Sequence, residues 1–181
     1  MDRIDQKEPL PPRKLVVFEK RDVNYEEIDA NVRGLIRRLN KIPFVSTVSS
    51  CEGHLLDEYY MTETIPDNGC MFIIPGHIIF DIDRANPQWQ VFFEKVKGLV
   101  DKYPFAEIRE HHCNEEECKI EGFQCLNLDS EDLTCPETIV ESDTLETMVK
   151  KRYQVKTPIG KKRIKEFRRF WSELNEIAEE F

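Results

Sequence analysis

"FVSTVSSCEGH", residues 44–54, decides how the rest of the chain is read. Its first half alternates apolar and polar residues and includes β-branched Val45, Thr47 and Val48, the pattern of a strand. The strand ends in Ser49 to His54, where a thiol, a carboxylate and an imidazole lie within four residues beside Gly53. Small hydroxyl residues and a glycine at a strand end turn backbone N–H groups and side-chain oxygens toward an anionic ligand. Ser49, Ser50, Cys51, Gly53 and His54 are therefore read as ligand-binding residues. Cys51 itself is either a nucleophile, if His54 lowers its pKa, or an inert buried thiol.

Upstream, Ile28, Val32, Leu35, Ile36 and Leu39 recur at spacings of three and four, which predicts a helix from Ile28 that Asn40 and Pro43 end. Downstream, "CMFII" and "HIIFDI" read as strands on either side of Pro75-Gly76. Asn86 and Pro87 then open a helix whose buried stripe is Trp89, Phe92, Phe93, Val96, Leu99 and Val100. "FAEIREHHC" and "CKIEGFQCLNL" predict an antiparallel strand pair, and residues 128–140 a polar irregular stretch. "SDTLETMVKKRYQV" reads as a helix, with Asp143 and Glu146 spaced as a capping box. Thr157-Pro158 starts a last helix carrying Ile164, Phe167, Trp171, Leu174, Ala178 and Phe181 on one face. The fold expected is α/β (α+β): a single domain over 1–181, a mixed sheet packed with helices, a long C-terminal helix and an extended proline-rich segment over 1–14.

Length and composition agree with that expectation. The chain has 181 residues, 40% of them apolar and 34% charged, which suits a globular protein with a real core. No apolar run approaches the roughly 18 residues of a membrane helix, and the N-terminus lacks a signal-peptide core, so no membrane partner and a cytoplasmic location are expected. Six cysteines then read as reduced thiols. The net charge of −9 alone argues against nucleic acid, but it is unevenly spread. Lys150 to Arg169 holds ten Lys or Arg and one acid, Glu166, so this segment is +9 and the remainder −18. Such separation presents Lys161, Lys162, Arg163, Lys165, Arg168 and Arg169 as a nucleic-acid-binding stripe, or leaves them as a solvated helix face.

Other groups are weighed in the same way. Cys51 and His54 have Cys-x-x-His spacing, and His111, His112, Cys113, Cys118, Cys125 and Cys135 add ligand types, but there is no Cys-x-x-Cys pair and the gaps are irregular. No metal is expected. His77, after Pro75-Gly76, reads as a pocket-lip ligand residue or a satisfied turn residue, and Asp81 and Asp83 as a carboxylate pair or as solvent-facing strand positions. Glycine-rich dinucleotide, P-loop and Ser-His-Asp signatures are absent from the sequence.

The order of Phe18, Lys20, Ile28-Asp29, Asn40 and Ser49-Ser50-Cys51 with Gly53, followed by a strand running into His77, resembles the tRNA wybutosine-synthesising methyltransferase family, the third enzyme of that pathway. "LETMVKKRYQVKTPIGKKRIKEFRRFWSEL" is similar to its C-terminal pattern of a short helix, a polar turn and a basic helix. Glu52 and His54 stand where the family has serine and arginine, and the Ser-x-Lys-Gly that precedes the family's first helix is missing. The resemblance implies a pocket at the Ser49–His54 turn, S-adenosylmethionine as methyl donor and a modified guanosine of tRNA as substrate, with His54 in the place of the arginine clamp. The alternative is a non-catalytic small-ligand or metal-binding module of the same fold. The catalytic residues and the oligomeric state are not legible.

Overall fold

The computed structural model describes residues 18–56, 69–112, 121–133, 142–145, 148–151 and 153–181. The expected extended segment over 1–14, and Cys113, Cys118 and Cys135, lie outside them. The described elements run α1 (Ala30–Leu39), β1 (Val45–Cys51), β2 (His54–Leu56), β3 (Cys70–Ile74), β4 (Gly76–Ile82), α2 (Trp89–Val100), β5 (Ala106–His112), β6 (Glu121–Leu128), β7 (Ser142–Leu145), β8 (Met148–Lys151), β9 (Tyr153–Lys156) and α3 (Thr157–Ala178). This is the mixed helix-and-strand architecture expected, closed by a long C-terminal helix. The expected mixed sheet is antiparallel in every described pairing, in the orders β1-β4-β6-β5, β2-β3-β9 and β7-β8.

Two sheets meet at one corner. β1 continues into β2 across Glu52-Gly53, and β3 into β4 across Pro75, so two paired strands bend together; Cys51 faces His77 on one side of the bend and His54 faces Ile74 on the other. The corner closes over α3. A Cβ on Gly53 would stand 2.6 Å from the Phe167 ring, and one on Gly76 would stand 2.9 Å from the Glu52 carbonyl oxygen and 3.0 Å from Trp171. Trp171 Nε1 donates to that same carbonyl at 2.9 Å. Glycine is required at both positions by close approach, and at Gly53 also by a φ of +86°.

α3 then passes between α1 and α2. Phe167, Phe170, Trp171, Leu174 and Ala178 are buried there, and Phe181 sits edge-on to Phe44 and Phe92 with ring centroids 6.0 and 5.5 Å away. The apolar stripes of all three helices and both larger sheets share this one buried cluster. No helix among the described residues is long and apolar enough to cross a membrane.

The helix expected over "SDTLETMVKKRYQV" is not formed; the segment supplies β7, β8 and β9. β9 pairs with β3, placing Val155 opposite Met71, and Tyr153 and Val155 are buried while Gln154 is less so. Pairing with an apolar strand outweighs the local capping-box and charge pattern, as tertiary context commonly does. Asp81, expected at a solvent-facing position, is instead 8% exposed. Burial raises its carboxyl pKa above the usual range, while the Ile82 N–H and the Arg21 charge oppose that rise.

Candidate functional site

The residues at the end of β1 owe their orientation to a bulge. The β1–β4 register shifts between Thr47 and Ser49, leaving Val48 out of the ladder and exposed. Before it, Val45 and Thr47 share the face of Ile82 and Phe80; after it, Ser50 takes that face, opposite buried Ile78. Ser46, Ser49 and Cys51 occupy the other face, alongside Asp81, Ile79 and His77. Strict alternation would have put Ser49 and Cys51 with Val45; the extra residue re-aims them.

On that face Ser49 Oγ lies 3.1 Å from His77 Nε2. Burial lowers the His77 pKa, with the Asp29 charge partly opposing, so the ring is neutral near pH 7. Burial pushes the Cys51 thiol up to about 11, the Gly53 N–H opposes this, and Asp29 adds to the rise. A thiol in that state is protonated at neutral pH, which argues against the nucleophile reading and for the inert buried thiol.

Asp29 is the residue that organises the turn. It occupies the cap position of α1, where aspartate usually accepts from its own helix, yet its side chain makes no such bond. Its Oδ2 instead accepts the Glu52 N–H at 3.0 Å and lies 3.1 Å from His54 Nε2. Glu52 performs the capping: its carboxylate accepts the Asn31 N–H at 3.0 Å and the Asn31 side-chain amide at 2.9 Å. The exchange is reciprocal and joins α1 to the corner, with the acidic group at the helix end the macrodipole favours. Glu52 is therefore a structural tie between the turn and α1. His54 Nδ1 is 3.9 Å from Glu52 Oε1, so this imidazole sits between two carboxylates and is not a free phosphate clamp.

Residues upstream brace the same strand. Lys20 Nζ donates to the carbonyls of Asn40 (2.9 Å), Ile42 (2.5 Å) and Val45. Asn40 accepts the Thr47 N–H at 2.9 Å and donates to its hydroxyl at 2.6 Å.

The expected residues therefore divide. Ser49, Cys51, His54 and His77 gather around the turn with Asp29; Ser50 lies on the other strand face; Gly53 is a packing point against Phe167. Asp29 is absent from the expected site, although an aspartate at a helix start is visible in the sequence. Ligand atoms of Asp29, Cys51 and His54 all lie within 4.8 Å of one another. Cys125 is buried and donates to Asn127 Oδ1 at 3.3 Å.

The basic stripe is present, less one member. Lys161, Lys162, Lys165, Arg168 and Arg169 are exposed on α3, with Arg169 paired to Glu173 at 3.0 Å. Arg163 falls on the opposite side of the helix, only 6% exposed. It binds Asp132 through both terminal nitrogens (3.0 and 2.7 Å), Glu166 and the Asp129 carbonyl, and stacks on Phe105. The exposed stripe faces away from the side of α3 that meets Gly53 and Gly76, as its helical positions require. A separate shallow groove lined by Ile82, Arg84, Trp89, Phe93 and Gln124 does not include the turn.

No family model and no curated protein matches this sequence. Among solved structures the chain is similar to the PH1069 protein from Pyrococcus horikoshii, with a TM-score of 0.45 and 11% identity, over 85% of this chain and 83% of that one.

Proposed function

We propose that the chain is a cytoplasmic S-adenosylmethionine-dependent methyltransferase acting on a guanosine of tRNA in the wybutosine pathway, with its site at the Ser49–His54 turn. The observation that carries the reading is the convergence of Asp29, Ser49, Cys51 and His77 on one strand end, braced by Lys20 and Asn40, residues far apart in sequence that belong to the resemblance, with His54 joining them in the place of the family's arginine. The methyl donor supplies an electrophilic methyl group on a cationic sulfonium. Asp29 and Glu52, with neither Lys nor Arg in Ser49–His54, give the turn a negative potential that suits such a cation.

What methyl transfer asks of the protein is alignment of the reacting atoms and a place for any proton the acceptor loses. His54, oriented by Asp29, takes that proton. Ser49 and neutral His77 offer hydrogen bonds to a base edge. Lys161, Lys162, Lys165, Arg168 and Arg169 hold the tRNA backbone across the width of α3, about 10 Å.

Transfer of labelled methyl from S-adenosylmethionine to bulk tRNA tests the reading. Label should enter tRNA, and His54→Gln should lower the rate about 10²–10⁴-fold. Donor binding without transfer favours the non-catalytic small-ligand module, and absence of both defeats the reading.

A further inference from the structure

We propose that Asp29, Cys51 and His54 form a binding site for one zinc-class divalent cation, with a fourth coordination position open to water. The inference needs only these three donors and shares two of them with the methyl-transfer reading: a metal on His54 Nε2 and Asp29 leaves His54 a proton acceptor in the metal-free protein alone. Carboxylate oxygen, thiolate sulfur and imidazole nitrogen are the ligand types zinc takes, and three protein ligands plus an open position is the arrangement of a reactive zinc centre. In a tetrahedral zinc site neighbouring donors stand ~3.5 Å apart. Asp29 Oδ2 and His54 Nε2 are 3.1 Å apart already, and all three donor atoms lie within 4.8 Å, so a side-chain adjustment of about an ångström completes the set.

Two further features point the same way. Asp29 turns its carboxylate away from its own helix end and onto this cluster, while Glu52 takes over the capping. Glu52 Oε1 also lies 3.9 Å from His54 Nδ1, on the ring nitrogen a metal on Nε2 would leave protonated. A small shift across that gap would complete the carboxylate–imidazole–metal chain that usually supports a metal-bound histidine. Asp29 and His54 side chains are 31% and 37% exposed, which leaves the cation a route in and a position for water. Cysteine spacing argues against a metal, but spacing is blind to Asp29, which reaches the cluster from the start of α1.

Charge and proton balance are simple. On binding, the Cys51 S–H bond breaks, its proton goes to buffer, and a sulfur–metal bond forms. The thiolate and the Asp29 carboxylate together neutralise the dication. Imidazole enters as a neutral ligand through Nε2.

The test is titration of the full-length, chelator-treated protein with Co²⁺ and then Zn²⁺, without methyl donor. One equivalent of Co²⁺ should give the intense visible bands of a tetrahedral site and an ultraviolet sulfur-to-cobalt charge-transfer band, both bleached by Zn²⁺. Cys51→Ser should abolish the charge-transfer band. His54→Gln, at a partly exposed position, should weaken Zn²⁺ at least tenfold in a chelator competition while leaving the thermal melt of the metal-free protein unchanged. Glu52→Gln should weaken it about tenfold. Failure to bind, or a charge-transfer band that persists in Cys51→Ser and so arises from other cysteines, overturns the proposal.

Discussion

Gly53→Ala is expected to be among the most damaging single-methyl changes in the chain. At φ +86° any residue with a Cβ carries backbone strain of about 1–2 kcal/mol. The new methyl would also sit 2.6 Å from Phe167 Cδ2 and 3.1 Å from the Gly76 nitrogen. Phe167 is fully buried and cannot swing aside, so overpacking adds about 1–3 kcal/mol. The total of about 2–5 kcal/mol corresponds to a melting-point loss of about 4–20 °C at this chain length. Gly69→Ala is the internal control: its φ is +71°, but nothing lies within 4 Å of the new methyl. Both substitutions share the strain and the same change in unfolded-chain entropy, so their difference isolates the clash with α3. Thermal and urea unfolding, followed by circular dichroism, give both numbers. If Gly53→Ala costs no more than Gly69→Ala, the corner is not clamped on Phe167 as described.

Arg163→Ala should cost about 1–3 kcal/mol, because it removes a buried side chain packed on Phe105 and the donor to the Asp129 carbonyl, while Asp132 and Glu166 are exposed enough to be hydrated without it. By contrast, Lys161→Gln, Lys165→Gln and Arg168→Gln combined should leave urea midpoints nearly unchanged. The same triple change should weaken tRNA binding and flatten its salt dependence by about one unit for each phosphate no longer neutralised; an unaltered slope means the stripe is only a solvated face. Cys51 should alkylate far more slowly than a free thiol: with its pKa near 11, about a thousandth is thiolate at pH 8, rising about tenfold per pH unit. Peptide mass spectrometry in chelator reads this, and rapid labelling at pH 7 contradicts it. His77 has a native pKa below the ordinary 6.5, so the unfolded chain takes up a proton first as pH falls through that value. Stability should therefore drop below about pH 6.5 until the lower native value is passed. His77→Gln should shallow that drop, and identical pH profiles would remove the burial argument.

Much of the scaffold is legible in the sequence because it rests on short-range pattern. The three-four spacing of Val32, Leu35, Ile36 and Leu39 marks α1, although the helix starts at Ala30 and Ile28 lies before it. α2 begins at Trp89, after Asn86 Oδ1 accepts the Gln88 N–H, so the expected turn residues act one step outside the helix. The site is legible only in part. The Val48 bulge leaves no mark in an alternation pattern, yet it decides which face Ser49 and Cys51 take. Asp29 looks like an ordinary helix cap, and only the long-range fold shows its carboxylate spent on Glu52 and His54. Sequence groups Arg163 with its basic neighbours, although its place on the helix puts it beside Phe105 and Asp132. β9 reads as helix from its own residues because its strand identity comes from β3, far upstream.

Calorimetric titration of the full chain with S-adenosylmethionine, wild type beside a folded Asp29→Asn variant, bears most directly on the turn as the ligand site. Saturable one-to-one binding to the wild type is the expected result. Affinity in Asp29→Asn should fall about 10- to 100-fold, the worth of a hydrogen bond or ion contact to a charged group. No binding heat in the wild type, or wild-type affinity in the variant, would contradict the placement of the ligand at this turn.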